Sequence, residues 1–198
     1  MTTASASLAS ILSIRGIIGQ MGLAGMLASF GLLFGMQMMR GRISDELRLG
    51  MLLAFGFLQG WSIGPLTGVV FDLNSELVLM AVVGTMLAFV SFTGAALFSQ
   101  RRSYLYLGGL LSFSMSVLMI SSFFPFLFNF NLYLGLFAFC FYIIYDTQMM
   151  VERSEMMQVD RSGIDGALQL FTNLIGIFVR ILMILSQNEK NKKKKRKE

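Results

Sequence analysis

The chain has 198 residues, of which 55% are hydrophobic and 14% are charged, and its mean hydropathy is +0.69. Together with repeated apolar runs of about 20 residues, this composition excludes an ordinary soluble globule and predicts a polytopic helical membrane protein. Histidine is absent and Cys140 is the single cysteine, so an intrachain disulfide is also excluded.

Six apolar segments follow one another along the chain, separated by short polar stretches. Each segment is long enough, at about 1.5 Å per residue, to cross a hydrocarbon layer of about 30 Å. We therefore predict an all-α transmembrane bundle of about six helices within residues 1–187. The segments cover residues 16–39, 49–71, 77–98, 104–124, 129–151 and 166–185.

The sixth segment is the most polar of the set. Its polar residues recur at spacings of three and four, which places them along one helical face. We expect such a helix either at the centre of the bundle, lined by protein or water, or as a re-entrant segment that enters and leaves on one side. The stripe consists of Asp165, Gln169, Thr172, Asn173, Gly176 and Arg180.

The net charge of +5 is concentrated at the C-terminus. Residues 188–198 hold seven basic and two acidic groups, while nine basic and nine acidic residues cancel in the rest of the chain. This pattern predicts a disordered tail that is attracted to anionic lipid headgroups by roughly 1 kcal/mol per basic residue. A solvated tail that only fixes orientation, a localisation signal and a partner-binding role remain alternatives. The tail cluster is Lys192, Lys193, Lys194, Lys195, Arg196 and Lys197.

The charge signals for membrane orientation conflict with each other. Six spans would place both termini on one side of the membrane and many loop arginines on the other side. The positive-inside rule would place both of these basic regions in the cytosol. A re-entrant last segment would reconcile the two signals.

Asp146 is the only carboxylate set well inside an apolar segment, the one that covers residues 129–151. An ionisable side chain in a membrane span costs several kcal/mol unless it faces protein or water. Asp146 therefore marks an ion path, a proton relay or a structural pair.

Four motifs along the chain carry a resemblance to a known family. They read RRSYLYLGG at 101–109, NLYLGL at 131–136, YDTQMMVE at 145–152 and ILMILSQNEKNKKKK at 181–195. In this order they resemble the Bax inhibitor family of transmembrane Bax inhibitor motif proteins. The resemblance covers roughly residue 47 to the C-terminus and is loose over the first 45 residues. The family usually has seven helices around a central last helix, so we expect most of the first helix to be missing here.

The resemblance implies an endoplasmic reticulum membrane protein that passes Ca²⁺ out of the store and suppresses stress-induced cell death. It implies no enzymatic activity and no cofactor. In the family, the aspartate of the YDTQ-type motif pairs with an aspartate of the last helix to form a proton-sensitive gate. Asp146 matches the first aspartate, whereas Asn173 stands at the position of the second. We predict that Asp146 faces Asn173 and does not share a proton with a second acid.

Arg40 is the nearest match to an arginine that serves as a latch in bacterial relatives. Its position, close to the end of the first apolar segment, is equally suited to an interfacial anchor. Both interpretations stay open.

Two functions of different classes remain. A Ca²⁺ leak channel or exchanger would use Asp146 as a transient oxygen ligand or gate, and the polar stripe as the ion route. A non-conducting membrane adaptor would modulate death regulators of the Bcl-2 type through its helices or its basic tail. An intramembrane aspartyl protease is a third class, but it needs two facing catalytic carboxylates. No nucleic-acid partner is expected.

Overall fold

A computed structural model describes residues 22–38, 44–99, 106–155 and 163–196, and this part of the chain is helical apart from short connections and helix ends. Within these ranges each predicted apolar segment coincides with one α-helix, so the predicted all-α bundle is confirmed. A 3₁₀ turn, Pro125–Leu127, precedes the fifth helix. The helices are α1 (Gly22–Met38), α2 (Asp45–Leu73), α3 (Ser75–Phe98), α4 (Leu107–Ser121), α5 (Phe128–Glu155) and α6 (Ile164–Lys195).

Four of these helices are long and apolar enough to cross a membrane, counted over the described residues. They are α2, α3, α5 together with the turn that precedes it, and α6. The α4 helix is apolar but has only 15 residues. At about 1.5 Å per residue it is shorter than a hydrocarbon layer of about 30 Å.

The helices extend beyond the apolar segments into polar sequence. α2 begins at Asp45, four residues before the predicted segment, and carries Asp45 and Glu46 in its first turn. Acidic side chains there interact favourably with the helix dipole. α6 begins directly after Gly163, whose φ of 65° lies in the left-handed region that glycine adopts without strain. Hydropathy therefore marks the membrane-crossing part of a helix and not its ends.

The chain divides into two compact units, Met1–Asn74 and Ser75–Glu198. In the first unit α1 packs against α2. In the second unit α5 packs against α3, α4 and α6, and α6 also packs against α3. The core of the second unit is built from the buried residues Phe139, Cys140, Ile143 and Ile177, with Phe89 and Phe92 of α3 packed against them.

The last helix is covered along nearly all of its apolar length. From Ile164 to Gln187, Ala167 is the only exposed residue of α6. Asp165 and Asn173 are both buried, so the polar stripe faces protein, as predicted for a central helix. The helix is continuous from Ile164 to Lys195, which favours a crossing helix over a re-entrant segment.

The basic C-terminal segment is helical up to Lys195, which differs from the predicted disorder beyond residue 188. Lysine is a good helix former, and cations in the last turn interact favourably with the helix dipole. The last turn of α6 holds Lys192, Lys193, Lys194 and Lys195, and the Arg196 N–H donates to the Lys192 carbonyl. α6 therefore continues across the predicted boundary between the bundle and the tail at residue 187. Lys197 lies outside the described residues.

Candidate functional site

Asp146 and Asn173 form a hydrogen-bonded pair between α5 and α6. The Asn173 Nδ2 donates to the Asp146 Oδ2 at a separation of 2.7 Å. The two residues are only 8% and 5% exposed. The predicted pairing of these two side chains is thus confirmed, and the carboxylate accepts its hydrogen bond from an amide.

Close contacts at glycine hold the same two helices together on both sides of this pair. At each of three glycines, an added Cβ would lie less than 3 Å from a large side chain of the opposite helix. From one contact to the next, the residue number rises along α6 and falls along α5, so the two helices are antiparallel. The glycine and side-chain partners are Gly166 with Met150, Gly176 with Phe139, and Gly135 with Arg180.

Arg180 lies at the end of this row of glycine contacts, which we call the α5–α6 seam. Its guanidinium lies over the Phe139 ring, with Cζ 4.3 Å from the ring centroid, and beside the backbone of Gly135. The Nη1 donates to the Gly176 carbonyl of its own helix at 3.2 Å, while Nε has no hydrogen-bond partner. No carboxylate within the described ranges forms a salt bridge with Arg180. Aromatic stacking therefore takes the place of an acidic partner.

The other stripe residues do not reach the Asp146 pair. The Thr172 Oγ1 donates to the Leu168 carbonyl of its own helix at 2.8 Å. Gln169 is half-buried. Asp165 is buried in the first turn of α6, eight residues before Asn173 and so about 12 Å away along the helix axis. The latch candidate Arg40 lies outside the described residues.

Gln148 is a polar contact that the sequence analysis did not single out. Its Nε2 donates to the Ser99 Oγ at 3.1 Å and approaches the Ala96 carbonyl at 3.5 Å. Both acceptors lie at the C-terminal end of α3, where helix carbonyls lack partners of their own. The YDTQ motif thus joins α5 to α6 through Asp146 and to α3 through Gln148. Its place in this motif is the signal that could have pointed to Gln148.

The donor set around Asp146 is small. Over the residues that the structure describes, no three His, Cys, Asp or Glu side chains are grouped to hold a metal ion. Ca²⁺ takes six to eight oxygen ligands in a stable site. One carboxylate beside one amide supplies fewer oxygen ligands than such a site needs.

Comparison with known proteins places this chain in a family. The family described as "Inhibitor of apoptosis-promoting Bax1" matches residues 1–190. The chain belongs to the Bax inhibitor family. The match begins at residue 1, so membership extends over the N-terminal part that the four motifs did not cover. With its long apolar helices, this member of the family is a multi-pass membrane protein.

Several relatives in the family share the name Bax inhibitor 1. The protein of Bos taurus is 38% identical over 184 residues, which are 89% of this chain and 77% of the relative. The protein of Oryza sativa subsp. japonica is 39% identical over 195 residues, 94% of this chain and 75% of the relative. The Homo sapiens protein is 39% identical over 160 residues, 78% of this chain and 67% of the relative.

Proposed function

We propose that this protein is a Ca²⁺ leak channel or exchanger of the endoplasmic reticulum membrane that suppresses stress-induced cell death. The single observation that carries the proposal is the Asp146–Asn173 hydrogen bond in the interior of the second unit. A buried carboxylate in an apolar helix points to an ion path by default. Across the described ranges, no salt bridge neutralises Asp146.

The pair has the properties of a gate that opens at moderate cost. A hydrogen bond to a charged group contributes about 1.5–3 kcal/mol, so breaking this bond adds only that much to the cost of opening the packing between α5 and α6 at this point. Once the bond is broken, the carboxylate oxygens of Asp146 and the carbonyl oxygen of Asn173 are available to a passing cation. Oxygen atoms are the ligands that Ca²⁺ prefers.

The relatives' names support the cell-death part of the proposal. The matching family is described as an inhibitor of apoptosis-promoting Bax1, and the similar proteins of Bos taurus and Homo sapiens are named Bax inhibitor 1. Placement in the endoplasmic reticulum is supported by the motif resemblance and is part of the same proposal.

A non-conducting adaptor is the second candidate, favoured by the exposed basic end of α6. Residues 190–196 are all exposed and carry six positive charges. Such a surface suits anionic lipid headgroups or the acidic face of a death regulator of the Bcl-2 type. In this alternative Asp146 serves only to hold α5 against α6.

Store Ca²⁺ in cells that express variants distinguishes the two candidates. Asp146→Asn keeps the side-chain shape and removes the charge, so the leak should fall and store Ca²⁺ should rise. Deletion of residues 188–198 should leave store Ca²⁺ unchanged. Asp72→Asn is the matched control, because Asp72 is exposed at the end of α2. The adaptor would instead be established if tail deletion abolished death suppression and Asp146→Asn left store Ca²⁺ unchanged.

A further inference from the structure

Arg180 brings a positive charge onto the helical face that carries Asn173. The two residues are seven positions apart on α6, so they lie on one face and about 10.5 Å apart along the axis. Arg180 also lies within the apolar part of the helix, well before the basic end at Lys195. A charge at this depth is costly unless it faces protein or water, so its placement calls for a role.

Packing, and not an acidic partner, holds the guanidinium in place. On one side it contacts the Gly135 backbone, where an added Cβ would lie 2.8 Å from both Cζ and Nη2. On the other side the Phe139 ring lies 4.3 Å from Cζ. One of the five N–H donors is bonded, to the Gly176 carbonyl, and no described carboxylate pairs with the group. Because arginine keeps its charge in proteins, this charge is left unneutralised.

We propose that Arg180 is the electrostatic barrier of the ion route and sets its selectivity against divalent cations. This inference rests on the proposed function, in which ions pass Asp146 between α5 and α6. A cation that leaves Asp146 toward the C-terminal end of α6 approaches the fixed guanidinium. Since Coulomb repulsion scales with ion charge, the barrier for Ca²⁺ is twice that for K⁺. Asp146 therefore attracts cations into the route, and Arg180 keeps the leak slow.

The scaling of the barrier with ion charge gives a quantitative test. Flux depends exponentially on barrier height, so neutralising Arg180 should raise Ca²⁺ flux by roughly the square of the increase in K⁺ flux. A tenfold rise for K⁺ should accompany a rise on the order of a hundredfold for Ca²⁺. Liposomes that contain the purified full chain are loaded with a Ca²⁺ or K⁺ indicator, and both initial rates are measured.

Four variants separate charge from packing. Arg180→Gln and Arg180→Met remove the charge, and methionine keeps an unbranched apolar stem over Phe139. If glutamine prevents folding, the methionine variant carries the test. Arg180→Lys retains the charge and should stay close to wild type in its Ca²⁺ to K⁺ ratio. Arg196→Gln is the matched control, since Arg196 is exposed at the C-terminal end of α6.

The outcomes distinguish this inference from the function on which it rests. If wild-type flux depends on Asp146 but the neutral variants leave both rates unchanged, the barrier is refuted and the channel stands. If they raise both rates by the same factor, the bundle has only loosened, which also refutes the barrier. If none of the proteins conducts, the proposed function and the barrier fail together. A Ca²⁺ rate that rises as the square of the K⁺ rate supports both.

Discussion

Replacing Gly176 with alanine tests how tightly α5 and α6 pack beside the Asp146 pair. An added Cβ would lie 2.6 Å from Cε1, 2.7 Å from Cδ1 and 2.9 Å from Cζ of Phe139. Carbon atoms prefer separations of about 3.5–4.0 Å, so the ring or the helix must move by about 1 Å. The ring has little freedom to do so, because it is also in contact with the Arg180 guanidinium and belongs to the buried core.

The expected cost is the balance of three contributions. Overpacking of a well-filled interior costs about 1–3 kcal/mol. Displacement of the ring also weakens the cation–π contact, which is worth about 0.5–2 kcal/mol. Alanine in a helix interior recovers roughly 0.5–1 kcal/mol relative to glycine. We therefore expect Gly176→Ala to lower the free energy of unfolding by about 0.5–4.5 kcal/mol.

Reversible unfolding in mixed detergent, with the SDS mole fraction as the variable, measures this free energy. Gly109→Ala is the matched control, because an added Cβ at Gly109 in α4 meets nothing within 4 Å. The control should be unchanged or slightly stabilised. Phe139→Leu in the Gly176→Ala background should restore part of the loss. If Gly176→Ala proves as stable as Gly109→Ala, the seam is looser than the contacts indicate and the reasoning is refuted.

Three further predictions concern the pair, a helix end and the basic segment. Asn173→Asp places two acids at a hydrogen-bonding distance, where they must share one proton. Liposome flux of this variant should therefore rise with pH between about 6 and 8, whereas wild-type flux should change little. Identical pH profiles of the two proteins would contradict this prediction. Asn131→Leu removes the amide that donates to the Leu118 carbonyl at 3.0 Å and to the Ser121 and Ser122 hydroxyls. Because the Leu118 carbonyl still accepts from the Ser122 N–H, the substitution should cost about 0.5–1.5 kcal/mol in SDS unfolding, and no loss would show that the amide does not stabilise this helix end. Glutamine at residues 192–195 should weaken sedimentation with anionic vesicles at low salt by roughly 1 kcal/mol per residue, and unchanged binding would exclude lipid attraction.

The number and order of the helices could be predicted from the sequence because hydropathy reports a real physical requirement. A membrane span needs about 20 apolar residues, and its backbone must be internally hydrogen-bonded. The helix ends could not be predicted in the same way. α6 runs through Gln187 to Lys195 in a sequence that hydropathy treats as a tail, because helix formation outside the membrane depends on propensity and on the dipole.

The Asp146–Asn173 pair could be predicted because polar residues in apolar helices are few and one of them, Asp146, belongs to the YDTQ-type motif. The contacts of Gly135, Gly176 and Phe139 could not, since glycine and phenylalanine occur throughout the spans and nothing in their spacing selects a partner. The stacking of Arg180 on Phe139 could not be predicted from the sequence either. Such contacts depend on the register between two helices, which is fixed only when both are packed.

The proposed role of Asp146 is tested most directly by Ca²⁺ flux into liposomes that contain the purified full chain, either wild type or Asp146→Asn. Asparagine can keep the hydrogen bond to Asn173, so the packing is retained while the charge is removed. The predicted result is a Ca²⁺ rate lowered by about tenfold or more, with Asp72→Asn equal to wild type. Equal Ca²⁺ rates for wild type and Asp146→Asn would contradict the role of Asp146 as the ion-path gate.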